Sequence, residues 1–264
     1  MARKIVLTSG KGGVGKTSIS ASLGISLANR NNRCLIIDAD VGLNNLDVVM
    51  GVENQLVYDM ADVIAGKCTI SNALIQDKYN AGLYVLPSSH AFNDVQVSAA
   101  EFRSLICRLE DSFDFILIDC PAGIDVGFHR AVSGADEAIV VTTPHISAIR
   151  DGDKVLSMLA SYGLNAISVI VNRVRGDLVL QGNMMSAEDI AKVLRYPLIG
   201  VVPEDDNLTI YSQLGRIGLN AHQSRIAVDL IADNILSGKT RLYDPTLRYR
   251  GLIGKLKMWL EKSI

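Results

Sequence analysis

The chain has 264 residues, of which 48% are hydrophobic and 20% charged, with a formal net charge of −2. That much apolar residue buries a sizeable core in a single α/β unit, and the near-neutral balance lacks the bulk basic character that advertises nucleic acid. No apolar run reaches 18 residues, which excludes a spanning helix.

In chain order, residues 4–8 (KIVLT) form a short apolar run of β-prone residues. A strand that starts this early leaves no room for a signal peptide, so a cytoplasmic protein is expected. Next come Gly10, Lys11, Gly12, Gly13, Val14, Gly15, Lys16 and Thr17, which fit the pattern G-x-x-x-x-G-K-[ST]. Glycines let a backbone close its N–H groups around phosphate oxygens. In such a loop Lys16 reaches the β- and γ-phosphates and the Thr17 hydroxyl ligates Mg²⁺. From Ser18 to Ala28 the pattern is an amphipathic helix, whose positive N-terminal end adds to the same anion site. Strand, loop and helix in this order make ATP and Mg²⁺ the expected ligands. Lys11 stands out, because an ordinary phosphate loop needs no cation there. From the loop's start it does not easily fold back on its own γ-phosphate, and a nucleotide held by a second subunit is the better target.

Further strands are predicted at 34–38, 83–87, 113–119, 137–142, 166–172 and 198–203, several of them almost continuously apolar. Helices are predicted near 98–110, 147–161, 186–195 and 221–236, with Ser186 and Asp189 forming an N-cap signal. Strands alternating with helices predict an α/β doubly wound, mostly parallel sheet with helices on both faces and ligands at the carboxyl ends of the strands.

Those ends hold the remaining polar chemistry. Asp38 and Asp40 follow the second predicted strand, where one carboxylate helps to hold the metal shell and the other orients an attacking water. Asp119 closes the fourth and precedes Cys120, Pro121, Ala122 and Gly123. An aspartate there contacts Mg²⁺ directly or through water, and the residues after it suit a segment that senses the γ-phosphate. Asn172 and Arg173 after the sixth strand, and Pro203, Glu204 and Asp205 after the seventh, are candidates for holding adenine. Cys34, Cys68, Cys107 and Cys120 lie far apart, as reduced cysteines do, and the four histidines lack metal-ligand spacing.

The end of the chain differs in charge. From Lys239 to Ile264 seven basic residues (239, 241, 248, 250, 255, 257, 262) stand against two acids (244, 261). Asp244 and Pro245 break any continuous helix before the last segment. On a helical wheel Leu252, Ile253, Leu256, Trp259, Leu260 and Ile264 share one arc of roughly 140°. Lys255 and Lys257 flank that arc, where their stems snorkel toward headgroups. A helix of about 21 Å is too short to span a bilayer and suits lying in an anionic lipid interface. The predicted organisation is an ATPase domain at 1–238, a basic linker at 239–250 and an amphipathic membrane-targeting helix at 251–264.

These residues resemble the deviant Walker A (ParA/MinD) family of ATPases, and its division-site branch nearly from end to end. The likeness rests on TSGKGGVGKT, IIDADVGLNNLDVVMG, VYDMADVIAG, IDCPAGID, IRDGD at 149–153, VIVNR, IGVVPED and the tail. It implies that Lys11 is the signature lysine, Asp38 and Asp40 the switch I pair, and Asp119 the Walker B aspartate. It further implies an ATP-dependent homodimer, peripheral on the inner face of the cell membrane. That dimer would recruit the division inhibitor MinC, with hydrolysis stimulated by MinE or a functional substitute. Asp151 and Asp153 would lie on the partner face, and no specific nucleic acid is expected. Ser18 and His145 depart from the commoner threonine and acidic residue. The flagellar-number regulator FlhG shares the ATPase and tail, and ParA proteins would need a basic DNA-binding surface. Electron-transfer iron proteins would need a second cluster cysteine beside Cys120.

Overall fold

A computed structural model describes residues 1–40, 45–88, 97–215, 217 and 223–251. The strands are β1 (Arg3–Thr8), β2 (Cys34–Asp38), β3 (Ile75–Gln76), β4 (Leu83–Leu86), β5 (Phe115–Asp119), β6 (Glu137–Thr142), β7 (Ala166–Val174) and β8 (Leu198–Pro203). Between them lie α1 (Lys16–Ala28), α2 (Leu46–Met50), α3 (Met60–Ile64), α4 (Ile70–Ala73), α5 (Ala99–Cys107), α6 (Val126–Ser133) and α7 (Ile146–Leu159). The later helices are α8 (Gly176–Leu180), α9 (Ala187–Leu194), α10 (Asp206–Gln213) and α11 (Gln223–Ser237).

All seven predicted strands are present, and they join one sheet in the order β3-β4-β2-β5-β1-β6-β7-β8. Every pairing is parallel except that of the two-residue β3 with β4. The continuous apolar runs have their physical reason here, since both faces of the central strands are covered. Ile5, Leu7, Ile36 and Leu117 face a core shared with Ile19, Leu23 and Leu27 of α1 and Ala227 and Ile231 of α11. Val6, Ile37, Ile116 and Ile118 face the opposite core, with Phe102 of α5, Phe128 of α6, Leu156 of α7 and Ile190 of α9. The chain crosses from one half of the sheet to the other at β1, which has β5 on one side and β6 on the other. Such a switch point opens a crevice at the strands' carboxyl ends.

Residues 239–250, a linker by composition, lie against the body. Asn234 of α11 donates to the carbonyl of Arg241 at 2.8 Å and accepts from its N–H at 2.8 Å. The carbonyl of Pro245 sits so close to Gly176 that a Cβ there would meet it at 2.0 Å, and Tyr249 is buried. Leu252, Ile253, Lys255, Leu256, Lys257, Trp259, Leu260 and Ile264, expected to form the membrane-targeting helix, lie outside the described residues.

Candidate nucleotide site

Register decides which side chains meet. Asp119 at the end of β5 is the register partner of Leu7 in β1 and of Asp38 in β2. Three strand ends therefore stop level with one another, with β5 between β2 and β1, and residues 10–15 lead from β1 into α1. Asp119 is 2% exposed and three groups of α1 converge on it. Lys16 Nζ donates to Oδ1 at 2.8 Å, Ser20 Oγ donates to the same oxygen at 2.7 Å, and Thr17 Oγ1 donates to Oδ2 at 2.7 Å. Burial opposes the Lys16 ammonium, yet the charge and hydrogen bond of Asp119 outweigh it and its pKa stands above the usual value.

The carboxylates of Asp38 and Asp40 differ in surroundings. Burial first, and the charge of Asp119 second, push the Asp38 carboxyl up to about 7. Asp40 is half-buried and is raised in the same direction, chiefly by burial. Thr17 and Asp119 present hard oxygen donors side by side, which fits Mg²⁺. Among the described residues no group of three or more His, Cys, Asp or Glu would hold an ion alone. Waters and the phosphate oxygens of a nucleotide would complete such a shell, as is usual for Mg²⁺.

The loop itself is shaped by two close approaches. Gly15 has φ 90°, and a Cβ there would lie 2.4 Å from Asn172 Nδ2. Asn172 uses that nitrogen to donate to the Val14 carbonyl at 2.8 Å, while its buried Oδ1 has no partner among the described residues. At Gly10 a Cβ would lie 2.2 Å from the backbone carbon of Asp151. Helix α7 is thus braced directly on the first glycine of the loop. On that helix Asp151 pairs with Lys154 at 3.0 Å, and Asp153 is exposed. Gly12 and Gly13 meet nothing within 4 Å.

Lys11 is exposed, and its side chain makes no ion pair or hydrogen bond among the described residues. The contrast with Lys16, 8% exposed, is sharp. Ser18 accepts a hydrogen bond from Ser212 at 3.1 Å, which ties the start of α1 to α10.

The adenine candidates divide. Asn172 and Arg173 lie inside β7, which runs to Val174, and not after it. Arg173 has φ 59° where the pairing with β8 is irregular. Pro203 is buried at the end of β8, and Glu204 is exposed. The Asp205 carboxylate caps α10 through the Asn207 N–H at 3.1 Å and accepts from Ser224 Oγ at 2.8 Å, so it is engaged structurally. His145 is the N-cap residue of α7 without a side-chain cap bond. Burial pushes the Cys120 thiol up to about 12, which leaves a protonated packing residue.

Two site residues escaped the sequence reading. Ser20 lies one turn beyond Lys16 on the same helix face, so the period of α1 carried a signal for it. Arg130 of α6 donates to the carbonyl of Ala39 at 3.0 Å, and no motif marks it.

Comparison with known proteins agrees with this geometry. A family profile described as an AAA domain matches residues 2–169. The septum site-determining protein MinD of Bacillus subtilis (strain 168) is 40% identical over 261 residues, covering 97% of this chain and 97% of that protein. Among solved structures, the MinC:MinD cell division protein complex of Aquifex aeolicus contains a chain 38% identical, with a TM-score of 0.85 over 92% of this chain and 98% of that one. MinD of Pyrococcus horikoshii OT3, complexed with Mg-ADP, is 31% identical, with a TM-score of 0.81 over 90% of this chain and 98% of that one. With its phosphate loop, its strand-end aspartates and these relatives, the chain belongs to the MinD family of septum site-determining proteins, within the deviant Walker A (ParA/MinD) branch of P-loop ATPases.

Proposed function

We propose that this chain is a dimerising ATPase switch that hydrolyses ATP to ADP and phosphate with Mg²⁺ and positions the division site by recruiting the inhibitor MinC to the membrane. The observation that carries the reading is the meeting of Lys16, Thr17 and Ser20 on Asp119, beside Asp38, with Lys11 exposed and unengaged at the loop's start. ATP supplies the phosphoryl group, and Mg²⁺ neutralises its charge. Residues 10–18 cradle the phosphates, and Lys16 turns from Asp119 to their oxygens. Thr17 and Asp119 hold the metal, and Asp38 supports that shell. Asp40 orients the attacking water. Asn172, with an acceptor left over, and its neighbours Arg173, Pro203, Glu204 and Asp205 form the rim on which adenine rests.

Lys11 reaches the nucleotide of a second protomer, so ATP joins two copies. The body at 1–238 then presents two membrane helices (251–264) through the stretch 239–250. The Aquifex relative in complex with MinC supports MinC as a partner, with Asp151 and Asp153 on the shared face. MinE or a functional substitute stimulates hydrolysis, and no specific nucleic acid takes part.

Two substitutions test this. Lys16→Ala is expected to abolish ATP binding, because the main phosphate cation is lost. Lys11→Ala is expected to keep nucleotide binding and to lose the ATP-dependent dimer and hydrolysis, read by equilibrium nucleotide binding and by light scattering. A Lys11→Ala dimer of wild-type affinity refutes the proposal.

A further inference from the structure

We propose that Arg130 is a positioning residue for the turn Asp38-Ala39-Asp40, gripping the Ala39 carbonyl and so setting where the Asp40 side chain stands beside the phosphate loop. The inference rests on the reading of Asp40 as the group that orients water.

Ala39 is one residue past the end of β2 and fully buried. Its N–H still donates to the Asp119 carbonyl at 2.9 Å. Its own carbonyl has left the ladder, and a buried carbonyl needs a donor. Among the described residues Arg130 Nη2 supplies it, at 3.0 Å. On the other side of the same peptide, the Asp40 N–H donates to Asp38 Oδ1 at 2.9 Å. The Ala39 carbonyl and the Asp40 N–H belong to one rigid plane. That plane is held at both ends, by a guanidinium and by a carboxylate, and the Cα of Asp40 is fixed with it. Such ionic hydrogen bonds are stronger than neutral ones.

The guanidinium has a firm base. Arg130 stands in α6, which Phe128 fixes in the core, and its carbonyl accepts from Ser133 Oγ at 2.7 Å. The start of α6 also packs on the segment after Asp119, where a Cβ on Gly127 would lie 2.7 Å from Pro121 Cγ. Arg130 therefore ties the turn after β2 to the helix that follows β5, so the two segments flanking the γ-phosphate position shift together. Its second contact, Nη1 to the Val97 carbonyl at 3.5 Å, is too long to add much.

The test compares Arg130→Met, which keeps length and packing, with Arg130→Lys, which keeps the charge and one donor, in the full chain. For Arg130→Met we expect kcat for ATP to fall about tenfold or more, with KM within about twofold, since a small displacement of a positioned group is costly in rate. Arg130→Lys should recover most of the rate. Amide hydrogen exchange supplies a readout independent of turnover. The Ala39 and Asp40 amides should exchange about tenfold faster in Arg130→Met, by loss of a stabilising hydrogen bond, while those of Val6 and Ile118 stay unchanged. Wild-type kcat and wild-type protection in Arg130→Met overturn the proposal. So does a rate lost equally in both variants with protection falling across β1 and β5, which marks a merely structural role. If the wild-type chain hydrolyses no ATP, the functional reading fails, and unchanged exchange at Ala39 and Asp40 then removes the clasp as well.

Discussion

Asp38 is held at a cost that its position explains. It is 2% exposed, in register with Asp119, and its carboxyl stands near pH 7 because burial and a neighbouring carboxylate both oppose its charge. A folded-state pKa above the unfolded value means that the native chain binds the extra proton between about pH 4 and 7. The stability from this group is complete below the unfolded pKa and is lost as pH rises through about 7. Asp38→Asn, which cannot ionise, should therefore be more stable than the wild-type chain at pH 8, with the gap closing toward pH 4. Urea unfolding across that range, without nucleotide, measures it. A constant gap, or none at pH 8, contradicts the assignment. The loop and its carboxylates were legible in the sequence because each is an unusual residue at a strand end. Arg130 was not, since an arginine in a helix is ordinary until the fold brings it to Ala39, and Ser20 was marked only by its place one turn beyond Lys16.

Elements matter here through where they touch. Helix α7 comes up against the phosphate loop at Gly10, where any side chain would enter the peptide of Asp151 at 2.2 Å. Gly10→Ala must push α7 away from the loop, and overpacking of this kind costs about 1–3 kcal/mol. Gly12→Ala meets nothing within 4 Å and should change stability little. Thermal unfolding of the two variants separates them, and equal melting temperatures would deny the brace. Because Asp151 and Asp153 lie on the same helix, a partner docking there would press on the start of the loop next to Lys11. The strands other than β3 and the helices α1, α5, α7, α9 and α11 were readable from apolar runs and caps, while the eight-residue α6 and α10 were not. The four- and five-residue helices α2, α3, α4 and α8 carry too few turns for a period to show. The antiparallel β3 is two residues long, and only its pairing with β4 defines it.

At the scale of the molecule, the docked stretch 239–250 would decide how the proposed membrane helix is presented. Asn234 clamps Arg241, Pro245 lies on Gly176, Arg250 pairs with Asp244 at 2.9 Å, and Tyr249 is buried. The proposed membrane helix at 251–264 would therefore leave each body from an anchored root. One short amphipathic helix binds bilayers marginally, and stable attachment takes two signals. In the proposed switch, pairing two bodies through ATP would supply the second, since the second helix would insert from a high effective concentration, and avidity gains of about 10²–10⁴ need no new contact. Hydrolysis would return each helix to marginal binding. Sedimentation with anionic liposomes should be strong in ATP, weak in ADP, reduced by neutral lipid and by Trp259→Glu, and lost on truncation after Arg250. The ATP-dependent dimer should survive that truncation, because Leu242, Tyr243 and Tyr249 stay in place against the body. Truncation after Gly238 removes them and should lower stability as well, so the two ends separate membrane binding from folding. Equal sedimentation in ATP and ADP, or binding that outlasts the cut at Arg250, would sink the switch, and sedimentation with DNA in place of lipid would favour a partitioning role.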